Sequence, residues 1–137
     1  MQRDGKIYAV PVENTSGKEI LPIIAEKVEV GSKVYTDEYR PYRGLNGVYE
    51  HNIGQHSADE YVKGDVHTNS IESFWALFKR GIFGIYHHTS KKHLGKYVNE
   101  FTFRFNNREM TDGSRFDVCL ANTNNKRNTY KKLIGKK

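Results

Sequence analysis

Two carboxylates stand where the geometry of a sheet and of a helix would allow them to bind a cation. Asp37 directly follows Ser32–Thr36, a short β-branched and aromatic run that predicts a strand. In open α/β sheets, sites form at the carboxyl ends of strands, and a carboxylate there can hold a divalent cation. Position alone favours a plainer interpretation, in which Asp37 caps a short helix over Glu38–Arg43.

The second carboxylate, Glu72, lies in the first turn of a helix predicted over Asn69–Arg80. Lys79 follows seven residues later, and at about 100° per residue Glu72, Ala76 and Lys79 form one stripe. A carboxylate and an ammonium two turns apart suit a metal ligand beside a phosphate-binding lysine. Spacing alone favours plainer roles: helix capping and dipole stabilisation by Glu72, or a solvated charged stripe.

Histidines, asparagines and arginines supply further polar candidates. The first group comprises His67, Asn69, His87 and His88. These residues lack the zinc-ligand spacing H-x-x-x-H. The alternatives that remain are hydrogen bonds to DNA or to a metal-bound water, or structural positions in loops. A second group lies late in the last long helix and comprises Arg104, Asn106, Asn107 and Arg108. These residues either contact phosphates or complement the C-terminus of the helix.

Hydrophobic patterning predicts the elements that must position these residues. Lys6–Glu13 and Ser32–Thr36 are predicted strands on either side of a helix over Lys18–Lys27, which makes a βαβ unit with parallel strands. Pro11 places the first strand at a sheet edge or a strand end. A short helix over Tyr39–Leu45 and a short strand over Val48–Ile53 follow.

Helices dominate the second half. Gly81 is predicted to end the helix over Asn69–Arg80, whose apolar face is Ile71, Phe74, Trp75 and Phe78. A loop over Gly84–Lys92 precedes a helix over Ser90–Arg108, whose inward side chains are Leu94, Tyr97, Val98, Phe101 and Phe105. Phe116–Leu120 is a predicted short helix, and Lys126–Lys137 is expected to be a mobile basic tail.

Composition narrows the class of protein. The 137 residues carry a net charge of +6, with a pI of about 9.4 and 12% aromatic residues, which excludes a disordered tail and suggests a polyanionic partner. No run approaches the roughly 20 apolar residues that span a bilayer, and the start is too polar for a secretory signal. With Cys119 as its single cysteine, the chain is expected in a reducing cytosol.

Several ordered motifs together resemble ISXO2-like insertion-sequence transposases, over about Met1–Arg108. Val34–Tyr42 looks like the second-aspartate motif of that family, and Gly64–Trp75, continued through Lys79–Gly81, resembles its third catalytic motif. The downstream signature of the family is similar to three further runs: Tyr86–His88, Tyr97–Phe101 and Arg104–Arg108.

The resemblance implies an α/β, RNase H-like fold of the DDE transposase type, in which carboxylates hold two Mg²⁺ (or Mn²⁺) ions for attack on a DNA phosphodiester. It implies that Asp37 and Glu72 are catalytic metal ligands and that Lys79 is a catalytic lysine on DNA phosphate. The expected partners are transposon-end and target DNA, in the cytoplasm at the nucleoid. The DNA-binding residues would be His67, Asn69, Lys79, Arg80, His87, His88, Arg104 and Arg108.

The resemblance also marks a departure. Members of the family carry the first catalytic aspartate on their first strand. Met1–Lys6 instead resembles the end of the second strand and the turn into the third, and Asp4 belongs to that turn. We therefore expect residues 1–112 to form a truncated catalytic domain without its first strand and most of its second, and residues 113–137 a basic extension. Without those strands, the sheet would have unpaired strand edges. Such edges predict marginal stability, self-association, or direct pairing of Lys6–Glu13 with Ser32–Thr36.

Two functions follow from these expectations. One is DNA transposition by a DDE-type transposase, of which this chain would be a truncated copy with two carboxylates and no strand transfer of its own. The other is a non-catalytic DNA-binding or regulatory remnant, which would compete or associate with intact transposase and bind DNA in a salt-dependent way. An unrelated structural or interaction domain is disfavoured by the motifs.

Overall fold

The computed structural model describes residues 5–54, 69–124 and 126–135. Its elements, in chain order, are α1 (Gly17–Lys27), β1 (Lys33–Thr36), a 3₁₀ helix (Arg40–Leu45), β2 (Glu50–Ile53), α2 (Asn69–Gly81), a π-helical turn (Ile82–Tyr86, here the π turn), α3 (Leu94–Asn106), α4 (Asp112–Ala121) and α5 (Tyr130–Leu133). This is the mixed helix and strand composition expected of an α/β protein. Among the described residues, no helix has the length and apolarity needed to cross a membrane.

The described strands form one parallel pair. β1 and β2 are in register from Lys33 opposite Glu50 to Thr36 opposite Ile53, and the connection between them contains the 3₁₀ helix. The strands predicted over Ser32–Thr36 and Val48–Ile53, and the short helix between them, are therefore confirmed. α1, also as predicted, packs on the 3₁₀ helix, and the Tyr49 hydroxyl donates to the Val28 carbonyl at the end of α1.

The strand predicted over Lys6–Glu13 is wrong, and so is its parallel pairing with Ser32–Thr36, because this segment is extended but belongs to no described sheet. The side chain of Asn106 takes the place of a partner strand at Ile7: Oδ1 accepts from the Ile7 N–H at 2.7 Å, and Nδ2 donates to the Ile7 carbonyl at 2.9 Å. Pro11 lies against Gly95 at the other end of α3. The segment therefore runs along α3, and β-propensity alone could not reveal that.

The main core lies between this segment and the long helices. Ile7, Phe74, Phe101 and Phe105 form a buried cluster, and the partly buried residues packed on it are Ala9, Ile71, Phe78 and Tyr86. The predicted inward faces of α2 and α3 are thus confirmed at their phenylalanines. Trp75 is the exception, since 42% of it is exposed, although its ring still contacts those of Phe74 and Phe78 edge to face.

Gly81 is the last residue of α2, but the helical path continues through it into the π turn. Its backbone is right-handed helical, with φ −63° and ψ −46°, so it does not act as the predicted terminator. A Cβ at this position would lie 2.0 Å from Cζ of Phe101. Glycine is therefore required here because the ring of Phe101 lies directly against the backbone.

The C-terminal region contains more structure than predicted. α4 extends the expected Phe116–Leu120 helix in both directions, and the Thr111 side chain caps it by accepting from the Ser114 N–H. The tail predicted to be mobile over Lys126–Lys137 contains α5. Two lysines, one on α3 and one just before α3, donate hydrogen bonds to carbonyls at the end of α5. Lys92 Nζ donates to the Ile134 carbonyl and Lys96 Nζ to the Leu133 carbonyl, each at 2.5 Å.

Candidate metal and nucleic-acid site

Asp37 lies immediately after β1, at the carboxyl end of the parallel strand pair. Its Oδ1 accepts a hydrogen bond from the Tyr39 N–H at 3.1 Å, and its carbonyl accepts from the Thr36 hydroxyl at 2.9 Å. The 3₁₀ helix begins only at Arg40, with Tyr39 in the capping position. Asp37 therefore holds the turn before the helix rather than serving as its cap, and its exposed side chain remains accessible to a ligand.

A polar network beside Asp37 was not predicted from the sequence. His51 on β2 bonds through Nε2 to the Thr36 hydroxyl at 2.8 Å and through Nδ1 to Asn46 Oδ1 at 2.6 Å. Burial, and then the negative charge of Asp37, raise the pKa of Tyr42. The signal that could have revealed His51 is the parallel register of β1 with β2, which pairs it with Val34, two residues before Thr36 and on the same face of the sheet.

Glu72 and Lys79 lie on the exposed side of α2, in its first and last turns. Ala76 between them is exposed too, whereas Phe74 on the opposite side is buried, so the three residues occupy the stripe that the spacing predicts. β1 packs on β2, while α2 packs on the π turn and on α3. The two candidate carboxylates thus come from separate packing units of the described chain.

The chemistry of these two side chains suits Mg²⁺ or Mn²⁺, since both are exposed carboxylates. Mg²⁺ is usually held by one or two carboxylates, with water and substrate phosphate oxygens completing its shell. Over residues 5–54, 69–124 and 126–135, no group of three or more His, Cys, Asp and Glu side chains is arranged to hold a metal ion.

An ion-pair network fixes the end of the π turn to α3. The Tyr86 hydroxyl donates to Glu100 Oε2 at 2.8 Å, and Arg104 Nη2 donates to Glu100 Oε1 at 2.8 Å. The Tyr86 ring also contacts Tyr97, with centroids 4.7 Å apart. Arg104, a predicted DNA contact, is therefore paired with Glu100 on its own helix, at the i,i+4 spacing that stabilises helices. The side chain of Arg104 nevertheless remains largely exposed.

Replacing Tyr86 with phenylalanine should lower the free energy of unfolding by about 0.5–1.5 kcal/mol at neutral pH, the usual contribution of one hydrogen bond. The hydrogen bond to Glu100, followed by burial and the charge of Glu100, raises the pKa of Tyr86 above its ordinary 10.0. Because the pKa is raised in the folded state, the contribution of the Tyr86 hydroxyl to stability is fully present below the ordinary pKa. It is lost as the pH rises through the raised pKa of the folded state.

Urea denaturation over a pH series would check this expectation. The difference between the wild type and Tyr86→Phe should shrink above about pH 10. Tyr130→Phe, at a hydroxyl on the exposed ring of α5, should change stability by less than about 0.5 kcal/mol. A Tyr86→Phe difference that stayed constant into alkaline solution would contradict the assignment.

The remaining predicted DNA contacts are distributed around these helices. Arg80 and His88 are exposed. His87 has a positive φ of 59°, and its Nδ1 donates to the Phe83 carbonyl at 3.1 Å. Asn69 is the first residue of α2, but its side chain is not described. His67 lies outside the described residues altogether.

Arg108 has a local structural role. Its Nη1 donates to the Phe105 carbonyl at 3.1 Å, and its guanidinium lies 4.6 Å from the centroid of the Phe105 ring. This is the helix C-terminal role that the sequence left open beside phosphate binding. The structure therefore places Arg108 at the end of α3 with part of its donors already used.

Residues 1–106 match the family described as the ISXO2-like transposase domain. The chain is 36% identical to an uncharacterized transposase-like protein of Haemophilus influenzae, over 106 residues that cover 77% of this chain and 85% of that protein. It is 29% identical to an uncharacterized protein in transposable element ISH50 of Halobacterium salinarum, over 102 residues that cover 73% of this chain and 34% of that protein. No solved structure matches the chain.

Proposed function

The chain belongs to the ISXO2-like transposase family, and we propose that it binds DNA as a DDE-type catalytic unit of insertion-sequence transposition, with an RNase H-like fold. The observation that carries the proposal is the placement of Asp37. It follows a strand that pairs in parallel with the next strand, which is where α/β enzymes assemble their sites. The exposed Glu72 and Lys79 on α2 supply the other groups that the matched motifs require.

In this proposal Asp37 and Glu72 hold Mg²⁺ or Mn²⁺, which when bound stabilises the attacking and leaving oxygens of a phosphodiester. Lys79 and Arg80 bind backbone phosphates and orient the scissile strand. His67, Asn69, His87, His88, Arg104 and Arg108 would contribute further DNA contacts. Tyr39 positions Asp37, because its N–H is bonded to the carboxylate.

A second candidate function is DNA binding without chemistry, as a regulator that competes or associates with an active transposase. The net charge of +6 and the exposed Lys79 and Arg80 support phosphate binding whether or not a reaction follows. The matched motifs provide two carboxylates, and a DDE centre uses three. In this second function, residues 1–137 bind DNA but do not join strands by themselves.

Fluorescence anisotropy with labelled transposon-end DNA tests the binding. We expect Lys79→Gln/Arg80→Gln to weaken binding at every DNA sequence and to reduce the slope of log K against log salt by about 2, since each phosphate contact contributes about 0.9. Lys131→Gln/Lys132→Gln on α5 removes the same charge from exposed positions and serves as the matched control. Equal slopes for both double variants would overturn the proposed DNA-facing role of α2.

The same DNA distinguishes the two functions. The regulatory function predicts no joined product from the 137-residue protein with Mg²⁺ or Mn²⁺ and target DNA. If product forms, Asp37→Asn and Glu72→Gln should abolish it, and the chain is then a complete catalyst rather than a regulator. If random DNA binds as tightly as transposon ends, a sequence-specific regulatory role is excluded.

A further inference from the structure

The π turn exposes two large apolar side chains, which are separated in sequence by one glycine. Phe83 is 73% exposed and Ile85 is 70% exposed, although Tyr86 at the end of the same turn packs on the core. Large apolar groups are costly to leave in water, at about 25 cal/mol per Å². A pair presented on a tight turn therefore points to a binding partner.

Contacts at the C-terminal end of the turn fix its backbone. The Tyr86 ring contacts Tyr97 and Phe101, and its hydroxyl bonds to Glu100. The next residue, His87, has a left-handed conformation that non-glycine residues rarely adopt, and its Nδ1 donates to the Phe83 carbonyl. Phe83 is thus presented on a fixed backbone, which lowers the entropic cost of binding.

The sequence around Phe83 is basic, and the nearest carboxylates along the chain are those of Glu72 and Glu100. Residues 73–99 contain five Lys and Arg, three His and no Asp or Glu. Lys79 and Arg80 precede Phe83 by four and three residues on a continuous helical path, a spacing that brings side chains to neighbouring positions on a helix surface. An aromatic tip beside cations is complementary to a nucleic acid, whose bases offer apolar faces and whose phosphates offer negative charge.

We propose that Phe83 stacks on an unpaired base of DNA, at a flap or frayed end, while Lys79 and Arg80 bind the adjoining phosphates and Ile85 covers the outer side of the base. This inference rests on the proposed DNA-binding function and adds the kind of DNA recognised. Bases inside a duplex have both faces stacked, whereas an unpaired base offers a free face to a side chain without unstacking the helix. The surface is therefore specific for DNA structure rather than for sequence.

Two DNA probes test the proposal: a blunt duplex, and the same duplex with a short 3′ single strand that carries 2-aminopurine. Phe83→Ala should weaken binding of the flapped probe about tenfold, from loss of one base–aromatic stack, and should leave the blunt duplex within about twofold. Quenching of 2-aminopurine by the wild type should be lost in Phe83→Ala and kept in Phe83→Trp. Phe116→Ala, at a 65% exposed phenylalanine on α4, is the matched control.

The outcomes separate this proposal from the function on which it rests. Salt-dependent binding of both probes with no selective loss in Phe83→Ala overturns the stacking proposal and leaves DNA binding intact. Absence of DNA binding by the wild type overturns both. A change in oligomeric state in Phe83→Ala, with DNA affinity unaltered, would assign the turn to a protein contact and also overturns the proposal. Because Phe83 is exposed, thermal melts of the variant should match the wild type.

Discussion

Phe74→Ala is expected to lower the free energy of unfolding by about 3–5 kcal/mol, the range measured for phenylalanine truncation in cores. Phe74 is completely buried, and its ring contacts Phe105 edge to face with centroids 5.6 Å apart. Small domains have only about 5–15 kcal/mol of stability. We therefore expect a large part of the variant to be unfolded at 37 °C.

Chemical denaturation followed by tryptophan fluorescence measures this loss, because the Trp75 ring lies 5.1 Å from that of Phe74, centroid to centroid. Phe116→Ala removes the same side chain from an exposed position and should change stability by no more than about 0.5 kcal/mol. A loss below about 1 kcal/mol in Phe74→Ala would mean that the α2–α3 core contributes less to stability than its burial indicates.

Asn106→Ala is expected to cost about 2–4 kcal/mol, since it leaves both the N–H and the carbonyl of Ile7 without their partner, at about 1–3 kcal/mol for each buried group. Ile7 is 3% exposed, so water does not readily replace the lost bonds. The substitution should also release residues 5–12 from α3. Hydrogen exchange should report this as faster exchange of the Ile7 amide.

Asn107→Ala is the matched control for that substitution. Its side-chain amide donates to the Phe103 carbonyl, four residues back on the same helix, so its loss removes only a local contact. We expect it to cost about 1 kcal/mol or less and to leave the exchange of Ile7 unchanged. If the two variants lose equal stability, the bond between Asn106 and Ile7 does not anchor the segment.

The elements that sequence patterning predicts well are those whose partners are close in sequence. The 3.6-residue period of Ile71, Phe74 and Phe78 predicts α2, and glycines and prolines mark the 3₁₀ helix and the strands beside it. The segment over Lys6–Glu13 has equally good strand propensity, yet its partner is a side chain 99 residues away. Local propensity carries no information about such a partner, and so the prediction fails there.

The candidate site was predictable to a different degree. Motif resemblance identifies Asp37, Glu72 and Lys79, and the structure places Asp37 at a strand end and the other two on one exposed stripe. The pairing of Glu100 with Arg104 is readable from its i,i+4 spacing, but the role of Tyr86 depends on the π turn. Composition does not predict a π turn, because α and π turns differ by one residue of hydrogen-bond spacing. The exposure of Phe83 follows from that turn, so it could not be predicted from the sequence either.

The bond between Asn106 and Ile7 also sets an order of events during folding. α1, the strands and the 3₁₀ helix form contacts between neighbours in the chain, which close quickly. Residues 5–12 can dock only after α3 exists, since they are joined to it across 99 positions, and closing so large a loop has a high entropic cost. A segment synthesised early thus reaches its final place late, and Ile7 stays exposed to solvent, proteases and chaperones until α3 is complete.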